Sequence, residues 1–241
     1  MKPEILYEDD AIIAVNKPAG MLAIPDRFHP EKPNLQAILT QLYGKIFTIH
    51  RLDKETSGII LFAKDKEAHA LLNEQFSERQ VSKYYLALVT GSHLPQSGNI
   101  IGDLAPDKNN PGRMKVTKKG KRSVTEFQVL EQFKMASLVE IKILTGRQHQ
   151  IRVHFYSKGW PLLIDKVYGG RESLSITDIK SQRKMSITDI DQRPLMNRTS
   201  LHAWKLEVIH PLSKTPLSFE APVPKDFRAV LNQLRKWNHL N

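Results

Sequence analysis

Short apolar runs, rather than long amphipathic stretches, dominate the pattern of hydrophobic and polar residues along this chain. Such runs are typical of β-strands when Gly, Pro or acidic residues bound them. The sequence predicts strands at 5–7, 11–15, 59–63, 83–90, 124–130, 137–144 and 202–209. Because helices interrupt these strands without regular alternation, the pattern favours an α+β fold with a mixed or antiparallel sheet.

Three segments carry the signals of helices. In 65–79, apolar residues recur at helical spacing and Asp65 is placed to cap the N-terminus. A second helix is predicted over 147–157, ended by Gly159 and Pro161, and a third over 225–237. The segment 171–198 repeats a Ser-Ile-Thr-Asp-Ile motif and is predicted to be an inserted surface loop without a clear apolar face.

The composition excludes several classes of protein. The 241 residues contain no Cys, which excludes a disulfide scaffold, Cys-ligated zinc, iron–sulfur clusters and a thiol nucleophile. The polar, acidic start of the chain does not resemble a signal peptide, and no apolar run approaches the roughly 20 residues of a membrane helix. We therefore expect a cytoplasmic protein that does not associate with membranes.

The charge balance points to a nucleic-acid partner. Lys and Arg number 36 against 25 Asp and Glu, a formal net charge of +11, and the pI is near 9.7. Seven cations and no acid lie in 108–122, around a turn signal at 109–112. This basic segment either binds a phosphate backbone or is a solvated loop.

Two further segments combine side chains that could carry chemistry. In 50–58, Asp53 stands between Arg51 and Lys54, which favours an ionised carboxylate ready to act as a nucleophile, or simply a loop ion pair. In 145–154, two Arg and two His suggest anion binding or acid–base work, or a half-exposed helix with packed histidines. The two histidines are five residues apart, a spacing that suits a metal poorly.

In chain order, these segments resemble the successive motifs of RluA-type RNA pseudouridine synthases. The principal matches are Asn-Lys-Pro-Ala-Gly-Met at 16–21, His-Arg-Leu-Asp with Thr-Ser-Gly at 50–58, and Gly-Arg-x-His-Gln-Ile-Arg-Val-His at 146–154. Shorter matches follow at 83–89, 120–125, 168–169, 201–203, 210–211 and 222–224. The resemblance therefore extends over about residues 5 to 227.

The resemblance implies an α+β catalytic domain with a central mixed, mostly antiparallel sheet and a cleft across it. It implies isomerisation of uridine to pseudouridine in structured RNA, either tRNA or ribosomal RNA, by base flipping and without cofactor or metal. Asp53 aligns with the catalytic aspartate, and Tyr85 with the tyrosine that stacks on the target base and is implicated in proton removal at C5. Arg152, rather than Arg147, aligns with the basic residue that pairs with the catalytic carboxylate.

The expected RNA contacts come from the same motifs and from the basic segment. Arg51 aligns with the arginine that holds the substrate once its base has left the helix. The other expected contacts are His50, Arg147, His149, Lys118, Lys119 and Lys121.

The sequence also departs from many relatives. Only 15 residues precede Asn16, so we expect a single catalytic domain over 1–241, without an N-terminal S4 domain, with an insertion at 171–198 and a monomeric state. Without an S4 domain, the insertion is expected to act as a mobile basic flap that selects RNA, or to be an insertion without function. It carries Lys180, Arg183, Lys184, Arg193 and Arg198, among other residues.

Three other functions compete with this one. A catalytically idle RNA-binding protein on the same scaffold is the main alternative, but it would have little need for Asp53 together with Tyr85 and Arg152. A zinc-dependent base deaminase needs a Cys pair, which is missing. A P-loop NTPase needs a phosphate-binding loop, and no such motif is present.

Overall fold

The computed structural model describes residues 3–169, 171–180 and 193–240. Its elements are, in chain order, β1 (Glu4–Glu8), β2 (Ile12–Lys17), α1 (Leu35–Tyr43), β3 (Phe47–Thr48), β4 (Ser57–Ala63), α2 (Lys66–Ser77), β5 (Ser82–Thr90), β6 (Ser97–Pro106), β7 (Met114–Val116), β8 (Lys121–Gln132), β9 (Ala136–Ile143), α3 (Gln150–Ser157), β10 (Leu174–Ser175), α4 (Ile176–Lys180), β11 (Pro194–Met196), β12 (Leu201–Ile209), β13 (Pro216–Glu220) and α5 (Lys225–Trp237). In the described residues, thirteen strands and five helices follow one another without regular alternation, which confirms the predicted α+β class.

One compact unit comprises Met1–Tyr85 and His202–Pro222. Strand β2 pairs antiparallel with β1 and β4, β3 pairs antiparallel with β4, and β13 pairs antiparallel with β12. Strands β12 and β4 are parallel, so the sheet is mixed but mostly antiparallel, as predicted. The register sets Lys17 at the end of β2 opposite Gly58 near the start of β4, which brings two of the sequence motifs side by side.

The other unit comprises Leu86–Leu201 and Val223–Asn241. Strands β6, β7, β8 and β9 pair antiparallel, with β6 between β7 and β8. Helix α3 packs on this group of strands, where Val153 joins Leu104 and Tyr168 in a buried cluster. The arginine and histidine side chains of α3 are therefore presented from a firmly packed helix.

Several predicted elements are confirmed, together with the residues that begin or end them. Helix α2 begins at Lys66 because the side chain of Asp65 accepts a hydrogen bond from the Ala68 N–H at 2.8 Å. Strand β5 covers the predicted 83–90, and helix α5 spans the predicted 225–237. Gly91, which follows β5, has a φ of +107°, a backbone conformation that favours glycine.

The prediction that a helix begins at residue 147 is wrong by three residues. Helix α3 begins at Gln150, because His149 adopts a left-handed conformation with φ +53°. The Gln150 side chain turns back and accepts a hydrogen bond from the Arg147 N–H at 3.1 Å, which fixes the preceding residues as a turn.

The prediction of a surface loop at 171–198 is wrong for the described parts of that segment. Leu174, Ile179 and Met196 are buried, and β10 pairs antiparallel with β11. Arg198 is also buried and forms a bidentate ion pair with Asp226, at 2.6 and 2.9 Å, so it is not a cation available to RNA. The second copy of the repeat, 185–190, lies outside the described residues.

The described residues contain neither a membrane-spanning helix nor a cluster of metal-ligating side chains. No helix in this part of the chain is long and apolar enough to span a bilayer. Within the same ranges, no group of three or more His, Asp or Glu side chains is arranged to hold a metal ion.

Candidate active site

Asp53 lies in a tight loop, 51–56, between β3 and β4 of the first unit. Its carbonyl accepts a hydrogen bond from the Thr56 N–H at 3.1 Å, which closes a turn around the carboxylate. Thr56 is buried whereas Asp53 is half-buried, so the loop is anchored at one end and presents its carboxylate at the other. This arrangement suits a carboxylate that must be rigid and still reach a substrate.

A fully buried lysine holds this loop in place through hydrogen bonds. The Lys17 ammonium donates to the carbonyls of Pro18 at 3.0 Å, Met21 at 2.8 Å and Lys54 at 3.0 Å. The Gly20 N–H donates to the same Lys54 carbonyl at 2.9 Å. Since Lys54 directly follows Asp53, the Asn-Lys-Pro motif determines where the carboxylate sits.

The far end of the loop is fixed by the parallel pairing of β4 with β12. Ser57 Oγ lies 2.9 Å from Nδ1 of the buried His202, whose Nε2 lies 3.3 Å from the Ala221 carbonyl. Gly58 has a φ of +112°, and a Cβ at this position would lie 2.1 Å from the Ala203 carbonyl oxygen. Only glycine permits this close approach, which explains the glycine of the Thr-Ser-Gly motif.

Tyr85, on β5, lies close to Asp53. Its side chain is buried, and burial raises the pKa of the Tyr85 hydroxyl well above its usual value, with a further contribution from the Asp53 carboxylate. Tyr85 is therefore a neutral phenol at physiological pH. The structure thus brings together the two residues predicted to be catalytic in this unit.

His50 and Arg51, at the start of the motif, have different surroundings. His50 Nε2 accepts a hydrogen bond from the Leu61 N–H at 3.0 Å, and the ring stacks on Phe76 with centroids 5.0 Å apart. Burial, and to a lesser degree the Lys83 charge, lower the pKa of His50 to about 3. A neutral ring contributes no charge to phosphate binding, whereas the neighbouring Arg51 is exposed and charged.

Arg152, on α3 of the second unit, forms a buried bidentate ion pair with Asp165. Its Nε and Nη2 donate to the two carboxylate oxygens at 2.7 and 2.8 Å. Asp165 also accepts from the Val167 and Tyr168 N–H groups at 2.9 and 3.1 Å. Burial alone would raise the pKa of Asp165, but the hydrogen bonds and charge of Arg152 outweigh it and keep the pKa low.

Gln150 fastens the start of α3. Its amide nitrogen donates to the Val124 carbonyl and to Thr125 Oγ1, each at 3.0 Å, and its oxygen accepts from Thr145 at 2.8 Å. His154 Nδ1 lies 2.9 Å from the same Thr125 hydroxyl, so a buried polar network joins α3 to β8. Burial lowers the pKa of His154, which favours the neutral ring.

The remaining predicted RNA contacts are on the surface of the second unit. Arg147 is exposed, and His149 Nδ1 lies 3.0 Å from the Tyr168 hydroxyl. The basic segment forms the turns around β7, as its turn signal predicts, and exposes Lys118, Lys119 and Lys121. Two of its seven cations have local partners: Lys115 pairs with Asp107 at 3.3 Å, and Arg113 lies over the rings of Tyr156 and Tyr168.

Three functional side chains were not assigned roles by sequence reasoning. Lys17 and Gln150 lie inside the motifs given above. However, the three carbonyls that bind Lys17 and the four hydrogen bonds of Gln150 include partners from distant parts of the chain. Asp165 is visible in the sequence as an acid after an apolar run, yet nothing in that pattern identifies Arg152 as its partner. The available signal for Lys17 was a lysine that follows an apolar run and Asn16 in strand β2.

Comparison with known proteins identifies the family. A family model described as RNA pseudouridylate synthase matches residues 11–157. Ribosomal large subunit pseudouridine synthase D of Pseudomonas aeruginosa is 36% identical over 97% of this chain and 72% of its own length. The uncharacterized RNA pseudouridine synthase YhcT of Bacillus subtilis is 35% identical over 93% of this chain and 70% of its own length.

A solved structure leads to the same conclusion. Human RNA pseudouridylate synthase domain containing 4 is similar with a TM-score of 0.72 and 26% identity, covering 96% of this chain and 93% of that one. The resemblance to RluA-type synthases is thus confirmed. The chain belongs to the RNA pseudouridylate synthase family, and its activity is the isomerisation of uridine to pseudouridine in RNA.

Proposed function

We propose that this enzyme isomerises a uridine of large-subunit ribosomal RNA and that Asp53 is its catalytic carboxylate. The choice of RNA is supported by the names of similar proteins, among them the Pseudomonas aeruginosa enzyme described above. The observation that carries the catalytic assignment is the placement of Asp53 beside Tyr85, in a loop fastened by the buried Lys17 ammonium.

The reaction requires such a carboxylate. The glycosidic C–N bond of uridine must break, the ring must turn, and a bond must form between C1′ and C5 before the C5 proton leaves. Asp53 can attack C1′, add to C6, or assist elimination at C2′, and each route needs one rigid carboxylate at the base. Reaching a base within a stem also requires flipping, which costs a few kcal/mol.

Tyr85 is suited to receive the flipped base. Stacking of a base on an aromatic ring returns about 1–3 kcal/mol, which offsets much of the cost of flipping. Because burial and Asp53 raise its pKa, Tyr85 contributes a neutral ring and hydroxyl rather than a phenolate. Proton removal from C5 then requires a base near Tyr85, and Asp53 is proposed for this step.

Arg152 is proposed to support the same reaction through its charge, as the family resemblance implies. Its contact with Asp165 fixes the guanidinium in the second unit. Arg51 and Arg147, both exposed, and the lysines at 118, 119 and 121 are proposed to contact phosphates. His50 and His149 are proposed to contact the RNA through their rings.

The test compares pseudouridine in total RNA from cells with and without this gene. We expect one or more uridines of large-subunit ribosomal RNA to lose the modification, and the wild-type gene to restore it. Asp53→Asn should fail to restore it while folding and RNA affinity are nearly unchanged, and the exposed Asp10→Asn is the matched control. Turnover by Asp53→Asn within about tenfold of wild type, where loss of a catalytic group costs far more, would contradict the assignment.

A double-variant experiment tests whether Asp53 and Arg152 serve one step. Groups that act as a unit give strongly non-additive losses, so Arg152→Ala should add little to the defect of Asp53→Asn. The variants are compared at equal concentrations of folded enzyme, because Arg152→Ala also breaks the buried pair with Asp165. Independent, additive losses in kcat would contradict a shared role. Loss of modification from tRNA instead of ribosomal RNA would overturn the proposed substrate but not the activity.

The monomeric state and the cytoplasmic location are also proposals. Light scattering coupled to size-exclusion chromatography should give the mass of one 27.6 kDa chain. The proposed location follows from the proposed substrate, since the RNA must be reached where it is made.

A further inference from the structure

In the first unit, a closed loop projects beside the loop 51–56 that carries Asp53. Residues 23–33 form no helix or strand, and the loop is closed at its base by a parallel bridge between Leu22 and Asn34. The N–H groups of Leu35 and Gln36 donate to the carbonyls of Leu22 and Ala23 at 2.9 and 3.1 Å. Compact loops with joined ends are frequently functional. We name residues 23–33 the closed loop.

The base of the closed loop is next to Asp53. Gly20, two residues before the bridge, donates its N–H to the Lys54 carbonyl at 2.9 Å. The Met21 carbonyl accepts from the same Lys17 ammonium that binds the Lys54 carbonyl. An RNA strand that presents a uridine to Asp53 therefore passes close to the start of this loop.

The tip of the closed loop presents an aromatic ring to solvent. Phe28 is 81% exposed, the most exposed large hydrophobic residue in the described ranges. The Arg27 guanidinium lies over the Phe28 ring, 5.7 Å from its centroid. Asp26 accepts hydrogen bonds from the N–H groups of Phe28 and His29, at 2.9 and 3.0 Å, so the backbone beneath the ring is ordered.

The acids of the closed loop have local partners. The Asp26 carboxylate accepts the two backbone N–H groups, and these hydrogen bonds, that of Phe28 foremost, lower its pKa. Glu31 pairs with His29 at 3.4 Å. These contacts hold the Asp26 carboxylate against the backbone of its own loop, while the Arg27 guanidinium remains beside the exposed ring.

We propose that Phe28, with Arg27 beside it, is a stacking platform for an unpaired base of the substrate RNA that flanks the target uridine. Single exposed apolar residues are common, but an ordered aromatic ring with a guanidinium at its face combines the two groups on which unstacked bases stack. The surface is offered by a protein with a net charge of +11, which favours a nucleic acid over a protein partner. The inference rests on the proposed function, because it takes RNA as the substrate.

The experiment measures the dissociation constants of two fluorescently labelled RNAs, a short uridine-rich single strand and a fully paired duplex of equal length. Phe28→Ala should weaken binding of the single strand roughly fivefold to hundredfold, as expected for loss of one stacked base. Binding of the duplex should change by less than about twofold, because its bases are already stacked. Phe28→Tyr should restore binding, whereas Phe28→Leu should not.

Leu42→Ala is the matched control. Leu42 is a 54% exposed apolar residue on the nearby helix α1, and its truncation should change neither dissociation constant. Since the Phe28 ring is so exposed, Phe28→Ala should also leave the thermal unfolding midpoint unchanged. Three results would overturn the platform: an equal loss of affinity for single strand and duplex, full binding of the single strand by Phe28→Leu, or no loss of affinity in Phe28→Ala. The last result would be expected if Phe28 instead contacts a protein.

Failure of the platform can be distinguished from failure of the proposed function. If wild-type enzyme forms pseudouridine in ribosomal RNA but Phe28→Ala binds the single strand normally, the platform is wrong and the proposed function stands. If Phe28→Ala loses binding of the single strand but no ribosomal uridine depends on the gene, the proposed substrate is wrong and the platform stands. At saturating RNA, Phe28→Ala should retain wild-type kcat, because the base stacks on the ring equally in the ground and transition states.

Discussion

Replacing Asp165 by Asn tests whether the buried ion pair with Arg152 stabilises the second unit. The Asp165 carboxylate is fully buried and accepts four hydrogen bonds, two of them from Arg152. An amide in its place keeps the size of the side chain but faces the Arg152 guanidinium with no negative charge and with N–H donors of its own.

The size of the effect follows from the burial of the pair. Removing one partner of a buried ion pair costs about 3–5 kcal/mol, because the other charge remains away from water. In a chain of about 150–250 residues, each kcal/mol lowers the unfolding midpoint by roughly 2–4 °C, so Asp165→Asn should lower it by roughly 6–20 °C.

The assays are thermal unfolding, which gives the midpoint, and urea unfolding, which gives the free energy, both at neutral pH and with Glu131→Gln as the matched control. Glu131 and Arg235 also form a bidentate pair, at 2.8 Å for the Nε contact, but on the surface of the same unit. An exposed pair of this kind contributes about 0.2–1 kcal/mol. A loss of stability for Asp165→Asn no greater than that for Glu131→Gln would refute the reasoning.

The pH dependence gives the lead prediction a second check. Burial alone would raise the pKa of Asp165, but the hydrogen bonds and charge of Arg152, together with the Val167 and Tyr168 N–H groups, lower it. The native state therefore holds this carboxylate ionised more strongly than the unfolded chain does. The stabilisation is therefore complete above the ordinary carboxyl pKa of about 4 and is lost as pH falls from there through the lowered native value. The difference in unfolding free energy between wild type and Asp165→Asn should accordingly shrink below about pH 4. A constant difference across that range would show that charge is not its cause.

Two further predictions concern the first unit and the basic segment. Gly58→Ala should cost about 2–6 kcal/mol of stability, the sum of about 1–3 for strained backbone and about 1–3 for overpacking against Ala203. Gly44→Ala, at a φ of +77° and with no atom within 4 Å, measures in urea unfolding the cost of a positive φ without overpacking. Replacing all three lysines at 118, 119 and 121 by Ala should reduce the slope of log K against log salt by about 0.7–0.9 for each phosphate that the variant no longer neutralises. An unchanged slope in RNA-binding titrations would mean that these lysines are merely solvated.

The elements predicted correctly from the sequence are those whose signals are local. Helix α2 has its cap in Asp65, and helix α5 has a regular apolar face that includes Phe227 and Leu231. The order of motifs was enough to identify the family and the proposed catalytic residues. These signals depend only on neighbouring residues.

The elements that were missed depend on distant partners. Strand β6 contains Gly98, Gly102 and Asp103, which are poor strand formers, yet it pairs along its length with β8. The apolar residues of the insertion are too scattered to predict a core, and the burial of Ile179 depends on the packing of α4 against α5. The Arg152–Asp165 pair likewise requires the turn after α3, which no periodicity reveals.

The three carbonyls around the Lys17 ammonium couple the motion of two segments that are 37 residues apart in the chain. Hydrogen exchange of the Gly20 amide requires its bond to the Lys54 carbonyl to break, and that carbonyl also holds Lys17. Opening the Asp53 loop therefore removes one hydrogen-bond acceptor from the buried Lys17 ammonium. The Gly20 and Thr56 amide hydrogens should accordingly exchange with solvent through one shared opening, and not through separate local openings. Motion of Asp53 is in this way limited by the stability of strand β2, which carries Lys17, and not by the length of the loop that carries Asp53.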